Sequence, residues 1–400
     1  MRPDRKSIVI LSVSAGTGHL RAAEALKKAF QEECSYVDVT ILDTFRYTSP
    51  FLEKLVLGAY MEMIKYTPSL YGYIYSRSEK GQPLSGLAKD EFTRILNRFS
   101  STRLVKYIEE HNPEAVICTH PFPLGMLSSL RRSGDLDYFT VGVITDLTIH
   151  PYWVFPYVDL YLVGDGKLAD DLAGFGIPPQ KIYATGIPID PFFGAYVDRK
   201  SVLGGLGLDY GRTTILVMGG GLGLGPLAYS VRELGNIEHS CQLIVVTGKN
   251  THVKEKIDRL APGLKNPVRT LGYVGNVHQL MACSDLMVSK PGGLSCSEAL
   301  ACGLPTFLLG AVPGQEERNS SFLTSAGASV AVCGVRDLGG VVSECLRHPW
   351  RLKEMSDSAV RLGRPYSAIA AARVINSSVS FRNGPEAHLS AGPPEYRGNH

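Results

Sequence analysis

Short apolar runs alternating with segments of helical period constrain this chain more than any other feature of its sequence. The runs fall at 7–13, 37–42, 115–119, 140–145, 160–163 and 181–185, and again at 214–218, 243–247, 268–271, 285–289, 305–309 and 329–332. Several are apolar without interruption, such as Ile8-Val9-Ile10-Leu11 and Ile215-Leu216-Val217-Met218. Continuous rather than alternating apolarity suits strands covered on both faces. Helical periodicity is carried by 19–33, 89–110, 166–174, 252–260, 277–283, 293–301 and 315–325. Such alternation predicts an α/β fold built on doubly wound parallel sheets.

The runs fall into two sets, and 400 residues accommodate two domains. The stretch 189–208 carries Pro191, Gly204, Gly205 and Gly207 and reads as a linker. The expected organisation is an N-terminal domain over 1–195, a second domain over 196–350, terminal helices over 351–378 and a disordered tail over 379–400. Two such domains facing each other form a cleft, where ligands of this architecture sit.

Composition removes several function classes. Lys plus Arg is 41 and Asp plus Glu is 38, a net charge of +3 that argues against a nucleic-acid partner. The eight cysteines include no C-x-x-C pair, so buried free thiols are expected rather than a zinc site or disulfides. The N-terminal apolar run passes directly into a polar glycine loop, unlike a signal peptide. The uncharged stretches 213–231 and 299–315 are broken by glycine and proline and read as strand, turn and helix rather than as bilayer spans. Asp135-x-Asp137 matches a short acidic metal motif but follows a turn and is rejected as a metal site, leaving no metal ligands assigned.

Three glycine-rich loops follow predicted strands. None fits the dinucleotide or P-loop fingerprint: Arg21 stands where the first would need Gly or Ala, and neither Lys167 nor Lys249 precedes Ser or Thr. The most informative is Lys290-Pro291-Gly292-Gly293-Leu294-Ser295-Cys296-Ser297-Glu298, which reads as glycine turn into helix. Its glycines admit close approach of a ligand, and the helix start aims free N–H groups at a phosphate. Glu298 is placed to accept hydrogen bonds from a ribose, or is a solvated helix residue. Next comes Val312-Pro313-Gly314-Gln315-Glu316-Glu317-Arg318-Asn319, in which Gln315 and Glu316 offer donors and acceptors for sugar hydroxyls. The bland reading is that Glu316 and Glu317 favour a first helical turn. Ser14-Ala15-Gly16-Thr17-Gly18-His19 opens the first helix, whose N-terminus favours a neutral His19 able to take a proton. The third loop is Gly219-Gly220-Gly221-Leu222-Gly223-Leu224-Gly225.

Together these motifs resemble the diacylglycerol glycosyltransferases, the processive bacterial glucosyltransferases and the plant monogalactosyldiacylglycerol synthases. Thr119-His120-Pro121, Thr145-Asp146 with His150 and Trp153, and Thr185-Gly186-Ile187-Pro188-Ile189 are similar to the family as well. The resemblance runs from about residue 8 to 326. It implies a GT-B fold of two Rossmann-like domains and an inverting transfer of glucose or galactose from a UDP-sugar to diacylglycerol. Gly292 and Gly293 would meet the diphosphate, Glu298 the ribose, and Gln315 and Glu316 the sugar. Gly219, Gly220, Gly221, Lys290, Pro291, Ser295 and Asn319 complete the expected donor site. His19 would be the base, with Gly18, His120, Asp146, His150 and Trp153 lining the acceptor side. Asp146 is either an orienter of His19 or an alternative base. No cofactor and no essential metal is expected. Other readings keep the donor site but use a polyprenyl-linked acceptor, or make the chain a UDP-sugar-binding regulator.

Residues 50–66 read as an amphipathic helix with Leu52, Leu55, Val56 and Tyr60 on its apolar stripe. Tyr66, Tyr71, Tyr73 and Tyr75 follow, then a basic stretch over 77–106. That combination suits a peripheral anchor on an anionic membrane surface, in the cytoplasm. A core-facing helix is the competing reading.

Overall fold

The computed structural model describes residues 6–14, 17–34, 36–48, 102–134, 138–312 and 314–383. The amphipathic segment with Leu52, Leu55, Val56, Tyr60 and Tyr66, most of the basic stretch, and Asp135 and Asp137 lie outside them. So do Ala15, Gly16, Pro313 and residues 384–400.

The first sheet contains β1 (Lys6–Ser12), β2 (Val37–Asp43), β3 (Ala115–Cys118), β4 (Phe139–Val143), β5 (Leu160–Leu162) and β6 (Ile182–Tyr183). Their order is β2-β1-β3-β4-β5-β6. The second contains β7 (Thr213–Met218), β8 (Cys241–Val246), β9 (Val268–Leu271), β10 (Leu286–Ser289), β11 (Thr306–Leu308) and β12 (Ser329–Ala331). Their order is β12-β11-β10-β7-β8-β9. Every pairing is parallel.

The uninterrupted apolar runs become central strands because each face meets its own core. In β1, Ile8 and Ile10 join a cluster with Leu26 and Phe30 of the Gly18–Glu33 helix, while Val9 and Leu11 join the opposite cluster with Leu104 and Phe122. In β7, Ile215 and Val217 pack with Val231 and Val342, while Leu216 and Met218 pack with Leu280 and Leu300. This last cluster also takes in Ala22, Leu147 and Ile187 from the first sheet's half, so one apolar seam joins the domains.

Two stretches fold more fully than their sequence suggests. The linker holds a 3-10 turn at Pro191–Gly194 and a helix at Arg199–Gly205, anchored by buried Phe193 and Leu203. The terminal helices run Pro349–Leu362 and Ser367–Asn383, the second continuing past 378. That last helix crosses back to the first sheet, burying Ala368, Ala371, Ala372 and Ile375 beside Ile8 and Phe30. Arg373 Nε is 2.7 Å from Glu33 Oε2 on the neighbouring helix.

All eight cysteines are free; Cys333 is exposed and Cys302 half-buried, and the other six are buried. No helix among the described residues is long and apolar enough to cross a membrane.

Ile375 is fully buried against the N-terminal core, so Ile375→Ala is expected to cost about 2–4 kcal/mol. Tyr196→Ala, at a side chain 92% exposed, is expected to change stability by less than about 0.5 kcal/mol. Urea unfolding of the full chain checks both.

Candidate active site

In each sheet the strands that leave the centre in opposite directions are neighbours, β1 with β3 and β7 with β10. Ligands of open parallel sheets bind outside the carboxyl ends of such strands. The loops after β1 and β3 carry His19 and His120, and those after β7 and β10 carry the 219–225 glycines and Lys290–Gly293. The two sets of loops face each other closely. An added Cβ on Gly221 would lie 2.5 Å from Thr17 Cγ2, and one on Gly293 would lie 2.4 Å from the carbonyl oxygen of Thr145. At position 293 glycine is therefore required by the other domain, whatever its ligand. A Cβ added to Gly292 would meet nothing within 4 Å, which leaves space at the helix start.

His19 is the second residue of its helix. Its Nδ1 lies 2.8 Å from the Thr119 carbonyl oxygen and 2.8 Å from Thr145 Oγ1. A carbonyl can only accept, so Nδ1 carries the hydrogen and Nε2 keeps its lone pair. Burial lowers the ring's pKa to about 4, with the Thr119 hydrogen bond opposing. The neutral form expected from the helix start thus arises first from desolvation. His120 packs edge-to-face on His19 at 4.7 Å between centroids, and burial also holds its pKa well below the ordinary range. Its own Nδ1 accepts from Phe122 N at 3.1 Å, capping the Pro121–Ser133 helix.

The expected acceptor-side residues do not all meet at the cleft. A Cβ added to Gly18 would lie 3.7 Å from Leu294 Cβ across the domain boundary. Trp153, by contrast, packs inside the N-terminal core, 2% exposed, because the turn it ends brings it under Tyr161 and Val158. It is a core residue and does not line the cleft. His150 is buried beside it, its Nδ1 accepting from Tyr152 N at 3.2 Å, and burial lowers its pKa to about 4. Asp146 makes no hydrogen bond to His19; the Thr119 carbonyl and the Thr145 hydroxyl take that place. Instead it reaches across to the side chains of Gln315 and Asn319. Burial raises its pKa to about 6, those two hydrogen bonds opposing and the Glu316 charge adding to the rise.

The expected donor residues divide into two groups. Gly220, Gly221, Ser295 and Glu298 line one open cavity of the cleft, together with Thr17, Arg21, Gly248 and Tyr273. Glu298 is buried there, its pKa raised to about 7 by desolvation and drawn back by the positive charge of Arg21. Gly219 is folded beneath the Leu224 carbonyl, and Gly220, Gly223 and Gly225 adopt positive φ, which accounts for the loop's glycine content. The second group ties loops together. Lys290 Nζ is 2.6 Å from Glu316 Oε1, and Glu316 Oε2 accepts from Val312 N at 3.0 Å. Asn319 bridges the domains: its Oδ1 accepts from Leu147 N at 3.0 Å, and its Nδ2 donates to the Pro291 carbonyl at 3.1 Å. Sequence reasoning missed Arg21, Tyr273 and Gly248. Arg21 follows His19 on the same helix start, and that placement was its available signal.

A sequence model described as monogalactosyldiacylglycerol (MGDG) synthase matches residues 19–189, and the glycosyltransferase family 28 C-terminal domain matches residues 214–363. The chain is thus similar to the diacylglycerol glycosyltransferases across both of its domains. The processive diacylglycerol beta-glucosyltransferase of Bacillus pumilus is 27% identical over 366 residues, 91% of this chain and 92% of that protein. The structure of MurG from Acinetobacter baumannii superposes with a TM-score of 0.60 at 13% identity, covering 93% of this glycosyltransferase and 99% of MurG. That of Anabaena Alr3699/HepE in complex with UDP gives 0.53 at 15% identity, covering 94% and 99%. These likenesses show the GT-B fold of the glycosyltransferase described above.

A pKa near 4 in the folded state, against 6.5 for a free His, means that the folded protein binds fewer protons there. Stability carried by this group is complete above the unfolded value and is lost as pH falls towards 4. Between pH 7 and about pH 5, wild type is expected to lose about 1–2 kcal/mol more than His19→Asn does. Urea titrations at the two pH values measure it.

Proposed function

We propose that this chain transfers a hexose from a UDP-sugar to diacylglycerol at a membrane surface, with inversion at the anomeric carbon. The observation that carries the reading is the fixed tautomer of His19. Its Nδ1–H is held by the Thr119 carbonyl, so Nε2 is the atom free to take a proton. In the proposed step Nε2 removes the proton of the acceptor hydroxyl. The acceptor oxygen forms a bond to C1 of the sugar, and the bond from C1 to the UDP oxygen breaks. The electron pair leaves with UDP, which the open N-terminus of the Gly293–Ala301 helix stabilises through its free N–H groups. A helix terminus used in this way needs no metal, so transfer in EDTA is part of the proposal. Diacylglycerol as acceptor is supported by the family model and by the Bacillus pumilus relative's name. UDP as carrier is supported by the cleft cavity with buried Glu298 and by the Anabaena neighbour, solved with UDP. Free, largely buried thiols support a cytoplasmic setting.

Purified protein is expected to bind UDP in EDTA by calorimetry and to convert UDP-glucose or UDP-galactose with diacylglycerol micelles into glycolipid. His19→Ala is expected to lower turnover about 10^2–10^4-fold while leaving UDP affinity unchanged. Full activity in that variant would remove the base assignment, and failure to bind UDP would remove the donor assignment. Glu298→Gln is expected to weaken UDP binding about tenfold, the loss of one carboxyl acceptor for the ribose hydroxyls.

A further inference from the structure

Thr145 follows β4 and is 4% exposed. It touches both halves of the site. Its hydroxyl oxygen lies 2.8 Å from His19 Nδ1. Its carbonyl oxygen occupies the space in which a Cβ on Gly293, the first residue of the donor-side helix, would have to fit. The next two residues are gripped from the same domain. Asp146 hydrogen-bonds Gln315 and Asn319, and Leu147 N donates to Asn319.

We propose that Thr145 is a positioning residue that couples the tautomer and orientation of His19 to occupancy of the donor cleft. This inference rests on the reading of His19 as the base. With the hydrogen on Nδ1, the Thr119 carbonyl and the Thr145 hydroxyl share it as two acceptors. Each acceptor favours the tautomer with Nε2 unprotonated. A β-branched side chain has few χ1 states, so the direction of the Thr145 hydroxyl follows its backbone. That backbone is packed against Gly293. A ligand that shifts the donor-side helix start therefore shifts the second acceptor of His19.

The test uses the full chain. Thr145→Val keeps the shape and removes the hydroxyl; Thr145→Ser keeps the hydroxyl. Thr145→Val is expected to lower kcat about tenfold, the loss of one hydrogen bond, with KM for the UDP-sugar and Kd for UDP unchanged. Thr145→Ser is expected to recover most of that loss. Ring 15N NMR supplies a readout independent of turnover. Adding UDP should shift the His19 nitrogen resonances in wild type and Thr145→Ser, and leave them in place in Thr145→Val. A wild-type kcat in Thr145→Val, or a UDP-induced shift of equal size in all three proteins, would overturn the proposal. If wild type makes no glycolipid, the acceptor assignment fails, and the NMR comparison still decides the role of Thr145.

Discussion

Two backbones meet where the domains close, and there is no room between them for a side chain. The Thr145 carbonyl stands against the α-carbon of Gly293, at the start of the helix assigned to the diphosphate. Around that contact Asn319 bonds both Leu147 of one domain and Pro291 of the other. The apolar seam through Ala22, Leu147 and Leu294 holds the same surfaces together. Everything proposed for the chemistry depends on this approach. It brings His19, proposed as the base and carried by one sheet, towards a helix start carried by the other, and proximity of that kind is a large part of what an enzyme supplies.

Burial then sets the protonation states. Desolvation disfavours whichever form is charged, so it moves acids and bases in opposite directions. His19 falls to about 4 and stays neutral, while Asp146 rises to about 6 and Glu298 to about 7. A neutral imidazole is the form that takes a proton from a hydroxyl. With a pKa of about 7, Glu298 is only partly ionised at neutral pH and so brings less negative charge to the cleft, where Arg21 faces it, whereas Asp146 stays mostly a carboxylate.

Much of the architecture was legible because covered strands leave an uninterrupted apolar signature, and each predicted run overlaps a strand. The Gly293–Ala301 and Gln315–Ser325 helices appeared with the bounds their periodicity predicts. The Pro121–Ser133 helix did not, because Pro121, Pro123 and Gly125 read as loop punctuation; proline suits a helix start once a cap is in place, and that cap is His120. The Leu227–Gly235 helix was legible only as the helix that closes the strand, turn and helix reading of 213–231, without its bounds. Trp153 shows the opposite error, since its place in a motif suggested the cleft and packing took it into the core.

The sequence by itself determined the two parallel sheets, the glycine loops at their carboxyl ends and the position of His19 at a helix start. These are local properties, set by hydrophobic period and by which residues can open a helix. Only the tertiary structure decided which nitrogen of His19 carries its proton, that Asp146 answers to Gln315 and Asn319 instead of to His19, and that Gly293 is glycine because of Thr145. Those outcomes join residues a hundred or more positions apart, such as His19 with Thr119 at 100 and with Thr145 at 126. Contacts of that kind form when distant strands of one sheet come together or when the two domains pack, and no local pattern encodes them.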